Sequence, residues 1–367
     1  MSKSKKSVNT LKRAYQLYIS GLNREEIERL LKHDAQELYA YYSKDVLHSY
    51  QSEINSPISF LRFIKDLFVS FILKLTPARR AFYMVSLILF IWGMTAAQNL
   101  YSIAAFILLS LLLALELADK LRTKSELEFA REIQISLLPQ IPPKIENLNT
   151  VAFTETALEV GGDYYDWFRL KNGQILFVIG DVSGKGITAA LYMVRLQGFI
   201  QMLIKENLPV RQLLSRLNQL CKAQLKRNFF VTLATVLYTP GSGEIRVCRA
   251  GHNPVLYYSQ EKQKCYRIEP SGLALGLEKN GKFEATLEQV KTFIKPGDLL
   301  FLYTDGLNET LNKNLEMFSE KRIETIIRQF NTETPETLKS IFLKEVVRFR
   351  ANQPIHDDLT FLIIKAD

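Results

Sequence analysis

Aspartates in this 367-residue chain stand repeatedly where short apolar runs begin or end. Residues 158–168 read "LEVGGDYYDWF", with Asp163 behind a glycine pair and Asp166 three residues on. "ILFVIGDVSGKG" sets Asp181 directly after an apolar run and ahead of a glycine-rich turn. "LLFLYTDGLNET" does the same for Asp305, and "HDDLTFLIIK" puts Asp357 and Asp358 just before a further run. Taken singly, each is ordinary turn chemistry, because Gly and Asp tolerate the backbone angles that tight turns need. Taken together, they describe carboxylates presented at strand ends in a wet cleft. That setting suits Mg²⁺ or Mn²⁺, which prefer oxygen ligands and keep several waters. The neighbouring glycines would let a backbone carbonyl approach the same ion. Two ions held this way can activate a water and aim it at a phosphorus atom.

Rival chemistries fit less well. Cys221 and Arg227 have the Cys-x5-Arg spacing of a cysteine phosphatase loop, but "CKAQLKR" is a charged helical stretch without a glycine cradle. The chain contains no G-x-S-x-G and no HExxH. "GKGIT" (184–188) echoes a phosphate loop without completing the G-x4-G-K-[ST] pattern. The histidines are His33, His48, His252 and His356, too few and too scattered for a histidine zinc site. His252, in "AGHNP", reads as a hydrogen-bonded turn residue. His356, beside the paired aspartates, reads as a solvated surface histidine, with a proton relay as the alternative.

The elements that must position these residues follow from periodicity. "TVAFTET", "QILFVIG", "FVTLATVLYT", "EIRVCRA", "PVLYYS", "DLLFLYT" and "LTFLIIK" read as strands, and 187–206, 208–226, 316–330 and 335–350 as helices. Strand runs interrupted by a helical pair predict an α+β domain, with sheets inside and helices outside, over residues 148–367.

The first third has a different texture. Residues 82–117 carry no charge before Glu116, and Gln98–Asn99 divides them into spans 82–97 and 101–117. Each span would reach about 25 Å, close to a bilayer core. "KLTPARR" and "DKLRTK" make both flanks basic, so a hairpin over 81–118 should leave both termini in the cytoplasm of a bacterial inner membrane. A buried helical hairpin in a soluble core is the alternative. Residues 59–80 read as an amphipathic interfacial helix, 119–147 as a linker helix able to pair in a dimer, and 1–58 as helical and cytoplasmic, with Asn23 and Glu26 resembling a capping box. The net charge of +9 is concentrated before residue 81, favouring a lipid surface over nucleic acid. Three cysteines without a CxxC pair argue against a disulfide framework and fit a reducing cytosol. "MSKSKKSVNT" leads into no early apolar run, so no cleavable signal peptide is expected.

"EVGGDYYD", "GDVSGKG", "AGHNPVLYY", "GLALGL", "PGDLLFLYTDGLNE" and "DDLTFLIIK" occur in that order. The set resembles the SpoIIE/RsbU-type branch of the PP2C metal-dependent serine/threonine phosphatases, over roughly residues 125–366. "AREIQISLLP" resembles the helix that leads into such domains. The resemblance implies an α-β-β-α sandwich with two Mn²⁺ or Mg²⁺ ions at one edge of two central antiparallel sheets. It assigns Asp163, Asp181, Asp305 and Asp357, with the carbonyl of Val182, as metal ligands and hence as the catalytic set. Asp166 would support its loop and Asp358 a water on the metal. The implied reaction is hydrolysis of phosphoserine or phosphothreonine by an activated water, without a covalent phosphoenzyme. The implied substrate is a phosphorylated STAS-domain anti-sigma factor antagonist. In that family the helix after "GDVSGKG" is able to reposition ligands when the domain dimerises, and residues 117–138 are expected to carry a signal to it. A non-catalytic scaffold for a STAS partner, and a two-metal enzyme acting on another phosphate ester, are the alternatives.

Overall fold

The computed structural model describes residues 57–367 apart from 96–98, 227, 278–280 and 352, so the helical reading of residues 1–56 lies outside the described residues. The chain divides into two compact units, residues 1–121 and 122–367.

The first unit contains α1 (Pro57–Lys74), α2 (Pro77–Thr95) and the opening part of α3 (Asn99–Leu137). The interfacial helix anticipated over 59–80 is broken at Leu75–Thr76, because proline excludes the preceding residue from helical angles and removes a donor. Pro77 instead opens α2, where its missing N–H costs nothing. Arg80 caps the break by donating from Nε to the carbonyl of Leu75 at 2.8 Å and from Nη2 to that of Leu73. Arg79 ties α2 to α3, bonding Glu116 at 2.8 Å and Asp119 at 2.6 Å. At the opposite end of this antiparallel pair the rings of Trp92 and Tyr101 lie 6.0 Å apart. Large apolar side chains, among them Ile88, Trp92, Phe106 and Leu113, stay exposed along both helices. The shift from apolar to charged sequence near 118 is not a helix end. α3 continues to Leu137, supported by i,i+4 pairs Arg122–Glu126 and Lys124–Glu128, and stops ahead of Pro139.

The second unit is built on two five-stranded antiparallel sheets. One has the order β1 (Leu148–Glu155), β10 (Leu359–Ala366), β9 (Leu299–Tyr303), β6 (Val255–Ser259), β7 (Lys264–Ile268). The other runs β2 (Tyr164–Arg169), β3 (Ile175–Val182), β4 (Val231–Thr239), β5 (Glu244–Ala250), β8 (Gln289–Phe293). The period-two alternation of β9 explains the layering. Leu300 and Leu302 face a core shared with β3 and β4, whereas Leu299, Phe301 and Tyr303 face a second core. Helices α4 (Gly186–Ile204) and α5 (Val210–Gln224) cover the first core; α8 (Glu320–Gln329) and α9 (Pro335–Arg350) cover the second. Short helices α6 (Lys282–Thr286) and α7 (Asp305–Asn308) complete the unit. This is the α-β-β-α sandwich.

Among the described residues, α3 and α4 are long and apolar enough to cross a membrane. α4 buries Ala189, Met193, Leu196 and Ile200 against the sheets, so its apolar content belongs to the core. α2, the first anticipated span, carries Arg79 and Arg80 in its opening turn and is not one of the two.

Candidate functional site

Antiparallel pairing brings the end of one strand beside the start of its neighbour. β3 carries Asp181 near its end, and β2 begins directly after Asp163, with Tyr164 opposite Gly180. In the other sheet β9 ends two residues before Asp305, and β10 begins directly after Asp357–Asp358. Each sheet thus delivers carboxylates to one edge. The sheets are joined there by a buried hydrogen bond, Thr304 Oγ1 donating to Asp163 Oδ2 at 2.8 Å.

Close backbone approach explains the glycines. A Cβ on Gly162 would stand 2.8 Å from the carbonyl oxygen of Val182 and 3.3 Å from Asp181 Oδ1. The carbonyl and the carboxylate therefore face the same small space beside Asp163. A Cβ on Gly306 would meet the carbonyl oxygen of Asp358 at 2.1 Å, so that position admits no side chain. The turn is held by the polypeptide N–H groups of Ala157 and Gly162, which donate to Asp358 at 2.7 and 2.6 Å. Asp358 thus braces the glycine turn; the sequence reading gave it a water on the metal, which its remaining lone pairs leave open. Asp166 turns away into β2, accepting from the Tyr164 hydroxyl and the Trp167 N–H, both at 2.8 Å.

The charges repel one another. Burial, followed by the charges of Asp181 and Asp358, holds the Asp163 carboxyl well above the usual range. Burial, then Asp305, Asp357 and Asp358, pushes Asp181 up to about 7, with Lys185 opposing. Asp305 is raised by burial and then by Asp357 and Glu309. Asp181 thus feels Asp305 and Asp357, Asp163 feels Asp181, and Asp305 feels Asp357, so these carboxylates form a chain of electrostatic neighbours at this edge. Among the described residues, no three His, Cys, Asp or Glu side chains close tightly around a single point as a ready-made cage. Mg²⁺ and Mn²⁺ do not require one: one or two carboxylates, a carbonyl and retained waters suffice. Closely spaced carboxylates beside an inward-facing carbonyl, offset by the single cation of Lys185, fit such ions.

Several residues went unrecognised in the sequence. Lys185, from the "GKGIT" echo, places Nζ 2.8 Å from Asp357 Oδ2 and donates to the carbonyl of His356. Gln134 holds both backbone groups of Gly161, donating to its carbonyl at 2.6 Å and accepting from its N–H at 3.1 Å. Its polarity within the apolar stripe of "AREIQISLLP" was the available signal. The "AGHNP" turn braces both sheets: His252 Nδ1 lies 2.9 Å from Thr232 Oγ1, and Thr232 pairs with Asp181 across the ladder. Asn253 Nδ2 donates to Asn308 Oδ1 in α7 at 3.2 Å and reaches the Tyr303 carbonyl at 3.4 Å. Burial, reinforced by Arg249, pushes His252 down to about 3, so it stays neutral and holds position. Cys221 is buried and pushed up to about 12, which removes it as a nucleophile; Arg227 lies outside the described residues.

A sequence model of the family described as Stage II sporulation protein E (SpoIIE) matches residues 171–367. The chain belongs to the SpoIIE family. It is 28% identical over 242 residues to the phosphoserine phosphatase RsbU of Bacillus subtilis, covering 66% of this chain and 70% of that protein. Among solved structures, the SiaA-PP2C domain of Pseudomonas aeruginosa superposes with a TM-score of 0.61 at 18% identity, over 68% of this chain and 99% of that one. The RsbU and RsbW domains of a Mycobacterium tuberculosis protein match with a TM-score of 0.53 at 26% identity, over 61% of each chain. The SpoIIE family assignment fixes the sandwich as PP2C-like and the chain as a serine/threonine phosphatase.

Proposed function

We propose that this phosphatase removes phosphate from serine or threonine of a STAS-domain regulatory protein at the basin between the two sheets, using two Mn²⁺ or Mg²⁺ ions. The observation that carries the reading is the delivery of Asp163, Asp181, Asp305 and Asp357 to one edge of the two sheets, where Asp181 feels the charges of Asp305 and Asp357, Asp163 feels that of Asp181, and the Val182 carbonyl lies beside them. Asp163, Asp181, Asp305, Asp357 and the Val182 carbonyl would hold the ions. When bound, the ions would activate water and offset charge on the phosphoryl oxygens. The protein's own part is positional. Asp358 and Gln134 fix the glycine turn, Thr304 orients Asp163, and Lys185 sets a cation at the rim where a phosphate would enter. The STAS substrate is supported by likeness to RsbU and to the structure that joins RsbU and RsbW domains in one chain.

The exposed apolar hairpin of α2 and α3 supports anchorage in a lipid bilayer, with Arg79, Arg80, Glu116 and Asp119 gathered at one end. α3 also supplies a route from the anchor to the basin: the Leu137 carbonyl accepts from Gln197 of α4 at 2.7 Å, and Gln134 holds the Gly161 turn. Dimerisation through α3 and α4 would act along these contacts. The test incubates the chain with phosphorylated STAS proteins and Mn²⁺, with and without residues 1–116. Phosphate release that changes on truncation is expected. No release from any STAS protein would reject the substrate, and unchanged turnover together with unchanged self-association would reject the regulatory route.

A further inference from the structure

A cavity of about 190 Å³ opens beside the basin, between α7, the loop that follows it and the last turns of α9. Gly306, Lys185 and Asp357 line it, and the same three residues border the carboxylate basin. Its other walls differ in chemistry. Met317 and Val347 are 55% and 60% exposed, although both could be covered by a chain lying across the opening. Arg350 also lines it, and its Nε is buried without a hydrogen-bond partner. A buried donor left unpaired is costly and is normally satisfied by an acceptor.

We infer that this cavity reads the residues flanking the phosphoserine, taking an apolar side chain between Met317 and Val347 and an acidic group at Arg350. The inference rests on the phosphatase reading above and names the substrate feature that reading leaves open. Continuity decides the occupant. A phosphorylated residue in the basin places the next few residues of its own chain at this opening, since consecutive residues are 3.8 Å apart. The volume is comparable to the roughly 150 Å³ engineered cavity that accepts a benzene ring, so it has room for one large side chain and too little for a folded partner. An apolar wall beside an arginine selects an apolar residue accompanied by a carboxylate, and full burial of a leucine is ample for tenfold discrimination.

The test uses the full chain with Mn²⁺ and fluorescent peptides carrying a non-hydrolysable phosphonate in place of phosphoserine. Each peptide has leucine at one position within three residues of the phosphonate, and its match has serine there. Wild-type protein is expected to prefer one leucine peptide at least tenfold by anisotropy, and both Val347→Asp and Met317→Asp to abolish the preference. R350Q should remove any gain from an added glutamate. The two apolar walls come from separate elements, so one variant decides if the other melts early. Equal binding of all peptide pairs by the wild type, or a preference that survives both substitutions, overturns the inference. Phosphate release from the corresponding phosphoserine peptides is measured in parallel. Selective binding without release would reject the phosphatase reading and leave the cavity's selectivity standing.

Discussion

Asp181 is the residue at which proton and metal compete most openly. Its carboxyl is pushed up to about 7 by burial and by Asp305, Asp357 and Asp358. A divalent cation binds the ionised form, so affinity should fall on acidification below pH 7, by up to about tenfold per pH unit for each proton displaced. Calorimetry with Mn²⁺ at pH 6 and pH 8 should show this slope, together with proton release, and D181N should lose both. His252 gives the opposite kind of test. Its folded pKa of about 3 lies below its ordinary value, so the unfolded chain takes up a proton that the native state refuses. The stabilising effect of its neutrality is complete above pH 6.5 and is lost as pH falls toward 3, at about 1.4 kcal/mol per pH unit at the steepest. Melting temperatures of wild type and H252Q compared at pH 7.5 and 5 should converge on acidification. A gap independent of pH would contradict the assignment.

At the scale of elements, the strand ends do the positioning. Thr304 links the sheets by donating to Asp163, and within its own sheet it accepts the Thr360 N–H of β10 at 3.0 Å, with no exposure to solvent. T304V should therefore cost about 1–3 kcal/mol and weaken Mn²⁺ binding at the same time. A stability loss with undiminished Mn²⁺ affinity would show that the bond is merely structural. Much of this architecture was legible because seven strands alternate or run apolar and their ends carry Asp and Gly. β2, β7 and β8 were not legible. Asp166 interrupts "YYDWFR", and the edge strands "KCYRI" and "QVKTF" are half-exposed and lack a buried period. Residues 316–319 carry helical composition yet run extended after a turn at 313–314, with Met317 bridging Leu311, so α8 starts only at Glu320. The aspartates were readable one by one. Their braces were not, because Gln134, Lys185 and Asn253 contact partners 27, 171 and 50 or more residues away.

At the scale of the whole molecule, an apolar hairpin precedes a phosphatase unit within one chain, and α3 runs from the first into the second. Deleting residues 82–117 should move the protein from the membrane fraction to the soluble fraction; retention at the membrane would reject the hairpin as anchor. The central claim is that four aspartates from two sheets, far apart in sequence, hold the divalent cations that make this fold a phosphatase. The most direct measurement is Mn²⁺-dependent phosphate release from a phosphoserine peptide by wild type, D163N and D305N, with Mn²⁺ binding followed on the same samples. The account predicts a loss of at least about a hundredfold in turnover for each variant, the scale of a lost charge-stabilising group, with Mn²⁺ binding weakened in parallel. Turnover near the wild-type rate in either variant, with Mn²⁺ still bound, would contradict it.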